Sequence, residues 1–92
     1  MIVGLLTMEL YIPDGGSLKD KRRVVRSLVD RIRRFNVSVA EVDGHDTWQR
    51  ATLAAAVVTT DTRHAHRVLS AVVRLVESHG AVELTDYTIE VG

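Results

Sequence analysis

Residues 17–35 read SLKDKRRVVRSLVDRIRRF, and their spacing decides the fold class. Leu18, Val24, Val25, Leu28, Val29, Ile32 and Phe35 fall in one arc of a helical wheel, the pattern of a helix that buries one side. The opposite side collects Lys19, Arg22, Arg23, Arg26, Arg33 and Arg34. Ser17 stands where an N-cap is expected. Asp20 follows at the position where an acidic side chain answers the cap and favours the positive helix end. The same stretch governs the charge distribution. Net charge is zero, yet eight of the twelve basic residues lie here against Asp20 and Asp30, leaving four cations against ten carboxylates elsewhere.

Working outward, Ile2 to Ile12 is rich in apolar and β-branched residues and stops at Pro13-Asp14-Gly15-Gly16, a cluster that ends a strand and turns the chain. After Asn36, VSVAEVD has strand character, and GHDTWQR connects it to a further strand, RATLAAAVVTT, as a hairpin with a loop longer than two residues. Thr60, Asp61 or Thr62 caps a second helix with the stripe Ala65, Val68, Leu69, Val72, Leu75 and Val76. That helix ends at His79-Gly80, where glycine suits a left-handed C-terminal position. AVELTDYTIEV supplies the last strand.

The order β-α-β-β-α-β predicts an α+β, ferredoxin-like domain over residues 1–92. Right-handed crossovers give a four-stranded antiparallel sheet of order 4-1-3-2 with both helices on one face. One end of such a domain gathers the Gly15-Gly16 loop, the start of the first helix, the Gly44 to Gln49 connection and His79.

At 92 residues, 46% apolar and 26% charged, the chain reads as one globular unit. The absence of cysteine excludes disulfide frameworks, thiolate catalysis and cysteine metal sites. The apolar IVGLLTMELYI lacks a basic leader, is interrupted by Glu9 and falls short of the roughly 20 residues of a spanning helix, so a cytoplasmic location without membrane contact is expected.

A cationic helix face points to an anionic partner, because arginine presents a planar fork of donors that matches phosphate oxygens. Against this stands a solvated face in which Asp20 pairs with Arg23, and Asp30 with Arg26, Arg33 or Arg34. Such pairs contribute about 0.3–0.5 kcal/mol each, and two carboxylates do not balance six cations. Arg63, Arg67 and Arg74 share the outer side of the second helix, with Glu77 among them, and extend the candidate surface.

Gly16, ahead of a helix start with Lys19 nearby, and Trp48 in the hairpin connection are candidate contacts at the loop end. The glycines lack the spacing of the known phosphate loops, and a lone indole is expected to cover the end of the core. An acylphosphatase-like site fails, since the only asparagine, Asn36, lies at the far end of the first helix. His45, His64, His66 and His79 lack the spacing that brings two imidazoles to one metal ion. Base stacking on the sheet is disfavoured as well, because the first strand offers only Tyr11 and the third offers no aromatic.

The blocks SLKDKRRVVRSL, RFNVSVAEV, DTWQRATLAAAVVTTD and ELTDYTIEV, in this order and spacing, resemble the YlxP-like family of small bacterial proteins of uncharacterised function. The resemblance implies a ferredoxin-like fold and supplies no catalytic residues. Members tend to be encoded beside translation and ribosome-maturation genes, including ribosome-binding factor A, which implies an RNA or ribosome connection by association.

The expectation is therefore a non-catalytic protein without cofactor or metal, binding RNA or a ribosomal particle through Lys19, Arg22, Arg23, Arg26, Arg33, Arg34, Arg63 and Arg67. The alternative is self-assembly as a homodimer through the open sheet face. There Val3, Leu5, Thr7, Glu9 and Tyr11 alternate outward beside Thr52, Ala54, Ala56 and Val58, an unusually apolar surface to meet water.

Overall fold

The computed structural model describes residues 1–13, 16–44 and 47–92; Asp14, Gly15, His45 and Asp46 lie outside the described residues. The elements are β1 (Ile2–Tyr11), α1 (Leu18–Arg33), β2 (Ser38–Asp43), β3 (Arg50–Thr59), α2 (Thr62–Ser78) and β4 (Glu83–Val91). The four strands form one antiparallel sheet in the order β2-β3-β1-β4, the ferredoxin-like arrangement the element order predicts. Alternation in β1 and β3 sends Leu6, Met8, Leu10, Leu53, Ala55 and Val57 into a core closed by the apolar stripes of both helices.

The two helices are seated by different means. Beneath α2 the sheet offers Gly4, where an added Cβ would meet Leu69 Cδ1 at 2.9 Å, Val57 Cγ1 at 3.1 Å and Ala65 Cβ at 3.3 Å. The missing side chain is what lets α2 approach β1 this closely. Under α1 the stripe is completed by a charge. Lys21, one turn before Val25 on the core-facing side, is 1% exposed and among the largest fully buried side chains.

Asn36 takes the left-handed conformation after α1, with φ 58°, a role asparagine fills at helix ends. At α2 the expectation fails. His79 ends the helix in extended geometry, with φ −79° and ψ 117°, and Gly80 is not left-handed. The His79 imidazole instead accepts the Ala81 N–H through Nδ1 at 3.3 Å, so the turn is closed by a side chain. Ser17 does cap α1, accepting the Asp20 N–H at 3.1 Å, and Asp61 is the cap of α2, accepting the Arg63 N–H at 2.9 Å.

Candidate functional site

The outer side of α1 carries the six cations that its spacing predicts, and Arg31, which the spacing did not assign to it, stands exposed beside them. Lys19, Arg22, Arg23, Arg26, Arg31, Arg33 and Arg34 are all exposed. Only two surface ion pairs restrain them among the described residues: Arg23 to Asp20 at 4.0 Å and Arg33 to Asp30 at 3.5 Å. Both are one helical turn long and solvated, and such pairs contribute little. Lys19, Arg22, Arg26, Arg31 and Arg34 have no carboxylate within 4.0 Å among the described residues. Arg22, Arg26 and Arg34 line an open hollow of about 600 Å³ along the helix, together with Ser27 and Asp30.

Helix electrostatics separate these cations into two kinds. Arg31 and Arg33 lie in the last turn, where positive charge complements the helix dipole by about 0.3–1 kcal/mol each. Of the N-terminal cations only Lys19 lies in the first turn, where the same dipole opposes it; Arg22, Arg23 and Arg26 lie beyond its reach. The dipole accounts for Arg31 and Arg33 and gives no reason for Lys19, Arg22, Arg23 or Arg26.

Lys21 belongs to neither kind, and sequence spacing did not assign it a place. Its ammonium sits 2.7 Å from Glu41 Oε2 and donates to the Gly44 carbonyl. Glu41 occupies the inward register of β2, opposite Leu53. Its Oε2 is buried and has no well-angled hydrogen bond among the described residues, so the contact is ionic in character. Gly44 itself has φ 83°, and a Cβ there would come 3.0 Å from the Arg50 carbonyl oxygen. The pair thus clamps the start of α1 to the exit of β2 and holds the basic side at a fixed attitude. Two signals mark it in the sequence: Lys21, Val25, Leu28 and Ile32 share one face, and Val37, Val39 and Glu41 alternate inward.

The remaining predicted residues do not converge on α1. Arg63 and Arg67 are exposed on α2 but do not line the hollow of α1. Where the helices meet, Arg31 and Arg34 share a smaller recess with Phe35 and Leu75. Gly16 is exposed, and a Cβ on it would lie 3.8 Å from Asp20 Oδ2. A carboxylate therefore already stands at the proposed phosphate cradle and would repel a second anion there. Trp48 is 50% exposed, which corrects the expectation that its ring covers the core. The connection holding it is tied at its ends, by Thr47 N–H to the Gly44 carbonyl and Ile12 N–H to the Gln49 carbonyl, while the indole projects.

The opposite side of the molecule has another character. Val3, Leu5 and Val58 are exposed on the open sheet face, beside a shallow hollow bounded by Ser38, Ala40, Ala54 and Ala56. Toward β4 the face becomes acidic: Glu9 lies opposite Asp86, Leu5 opposite Glu90 and Tyr11 opposite Glu83. Glu9 Oε2 accepts the Thr52 hydroxyl at 2.7 Å, which fixes that carboxylate on the face. Among the described residues no three histidine or carboxylate side chains come together as a metal-binding group, and no helix is long and apolar enough to cross a membrane.

The family profile described as "Protein of unknown function (DUF503)" matches residues 3–89. The chain belongs to the DUF503 family. It is 34% identical over 85 residues to the "Uncharacterized protein YlxP" of Bacillus subtilis (strain 168), covering 91% of this chain and 92% of that one. This agrees with the YlxP-like resemblance of the sequence blocks. Neither description names an activity. Among solved structures, "Structural Genomics, protein YJCS" aligns with a TM-score of 0.53 at 8% identity, covering 96% of each chain. The "De novo designed protein Foldit4" aligns with a TM-score of 0.52 at 10% identity, over 100% of this chain and 97% of that one. At these identities the likeness is one of fold alone.

Proposed function

We propose that this DUF503 member is a non-catalytic, cytoplasmic RNA- or ribosome-associated binding protein that engages phosphates through the outer side of α1. The observation that carries the reading is the row of exposed cations from Lys19 to Arg34, most of them without a carboxylate partner among the described residues. At about 1.5 Å per residue this row is about 22 Å long, a length suited to a polyanion and too great for a single small anion. The helix dipole opposes Lys19 and gives no reason for Arg22, Arg23 or Arg26, so helix electrostatics do not explain the N-terminal part of the row. The association with translation that the YlxP-like resemblance implies favours RNA among polyanions. Contact of this sort is dominated by backbone phosphate, so binding is weak in sequence preference and sensitive to salt.

Retention of labelled RNA by the wild type, compared with the Arg22→Gln, Arg26→Gln, Arg34→Gln triple variant, tests this directly. Loss of retention with an unchanged circular dichroism spectrum is expected, because all three side chains are exposed. Equal retention by both proteins would refute it.

A second reading is favoured by the apolar part of the sheet face. Four strands of 10, 6, 10 and 9 residues at about 3.3 Å per residue, about 4.8 Å apart, give roughly 550 Å² per copy. Two copies stacked face to face would bury about 1,100 Å², just above the roughly 1,000 Å² that a biological interface should clear. Exposed Val58 and Leu5 of one copy would fill the hollow beside Ala54 and Ala56 of the other. Light scattering across a dilution series decides, and a monomer at every concentration removes this reading.

A further inference from the structure

The basic side of α1 is divided in two. We infer from the division that its ligand is double-stranded RNA bound across a groove, in preference to a single strand; this inference rests on the proposed function above.

Along the hollow the cations fall in two groups, Lys19, Arg22, Arg23 and Arg26 before the gap and Arg31 and Arg34 after it. At about 1.5 Å per residue the centres of the clusters stand about 15 Å apart along the helix. Between them, on the same outward surface, lie Ser27 and Asp30, both exposed and both lining the hollow. A single strand laid along α1 carries its phosphates in unbroken series and must bring them past the Asp30 carboxylate. A duplex carries phosphates on two rails with a groove between them, so each cluster meets one rail while Asp30 faces the groove.

The chemistry of the gap favours RNA over DNA. An A-form duplex has a wide, shallow minor groove that displays ribose 2′-hydroxyls, and a convex helix can rest across it. A carboxylate accepts hydrogen bonds only, and a 2′-hydroxyl is a donor that DNA lacks. Asp30, 60% exposed and held by Arg33 at 3.5 Å, is placed to accept from that hydroxyl, with the Ser27 hydroxyl beside it. In this arrangement the acid within the basic side serves recognition instead of merely weakening the field. The B-form minor groove, about 6 Å wide, is too narrow for the same contact, and the major groove, wide enough for a helix, displays no 2′-hydroxyl.

Single-strand binding ordinarily gains much of its affinity from bases stacked on aromatic side chains. α1 contains no aromatic residue, and Phe35, just past its end, is packed against the core. α1 itself offers no side chain for stacking, whereas those for two phosphate rails are present.

Fluorescence anisotropy tests the inference with three probes of one sequence at low salt: an RNA duplex of about 16 base pairs, the lone unstructured RNA strand, and the DNA duplex. The RNA duplex is expected to bind about tenfold more tightly than either alternative. The exposed Asp30→Ala substitution separates two causes. Removing a negative charge alone strengthens binding to every probe in parallel, whereas loss of the 2′-hydroxyl acceptor narrows the preference for RNA duplex over DNA duplex. Single strand bound as tightly as RNA duplex, DNA duplex bound equally well, or an RNA-to-DNA ratio unmoved by Asp30→Ala would each overturn the inference while leaving RNA binding intact. Failure of all three probes to bind would overturn the proposed function and this inference with it.

Discussion

The outer side of α1 and the open sheet face are both large solvent-facing surfaces of one small domain, yet they have opposite chemistry. On α1 the cations from Lys19 to Arg34 are restrained by only two solvated ion pairs among the described residues. On the sheet, Val3, Leu5 and Val58 stand among alanines, with Glu9, Glu83, Asp86 and Glu90 gathered toward β4. A net charge of zero is thus the sum of two separated fields, and an approaching polyanion is steered to one side and away from the other. Many ferredoxin-like RNA binders use the sheet. Here its acidity and its single central aromatic, Tyr11, oppose that use, which under the proposed function leaves the helix as the platform.

This contrast can be tested from both sides. The largest effect is expected from the Arg22→Gln, Arg26→Gln, Arg34→Gln triple variant. If each arginine makes a charged hydrogen bond to phosphate of about 1.5 kcal/mol, RNA affinity falls by about a thousandfold in a binding titration. Next comes the clamp that holds α1. Lys21→Met leaves Glu41 facing an apolar neighbour, and chemical denaturation should show a loss of about 3 kcal/mol. The Lys21→Met, Glu41→Leu double variant should recover most of it, because the unpaired charge is then gone. Gly4→Ala should cost about 2 kcal/mol by the same measurement, since the new methyl meets Leu69 and Val57 below normal contact distance.

Smaller effects distinguish the two surfaces from each other. Leu5→Glu adds an acid to the sheet face and should abolish any concentration-dependent dimer in light scattering. Its effect on RNA affinity should stay within about twofold, because beyond a Debye length of about 8–10 Å the added charge is screened from α1. The Arg63→Gln, Arg67→Gln variant should weaken RNA binding by only about threefold, far less than the α1 triple variant, because these side chains stand apart from the hollow of α1 and contribute mainly through the long-range field.

The fold was readable because its signals are periodic. The stripe from Leu18 to Phe35, the alternation in β1 and β3, and the turn residues between them suffice to fix the element order and the sheet. The outward position of the α1 cations follows from the same wheel. What escaped depends on contacts between elements. Lys21 is assigned to water by residue type, and only the meeting of α1 with the inward register of β2 supplies Glu41 as its partner. Gly4 lies on the inward alternation of β1, but the clearance it gives to Leu69 is a property of helix packing. Gly80 carries the residue type of a left-handed cap, whereas the His79 side chain closes that turn instead. Gly16 and Trp48 share an end of the domain by topology, but the position of Asp20 makes Gly16 unfavourable to anions, and the indole of Trp48 projects outward.

The salt dependence of RNA binding tests the role of α1 most directly. With Lys19, Arg22, Arg26, Arg31 and Arg34 each displacing a counterion, the logarithm of the binding constant should fall with that of salt concentration at a slope of about −4.5, and at about −2 once Arg22, Arg26 and Arg34 are replaced. A slope that is the same in both proteins would show that these arginines meet no phosphate and would contradict the assignment of α1 as the binding surface.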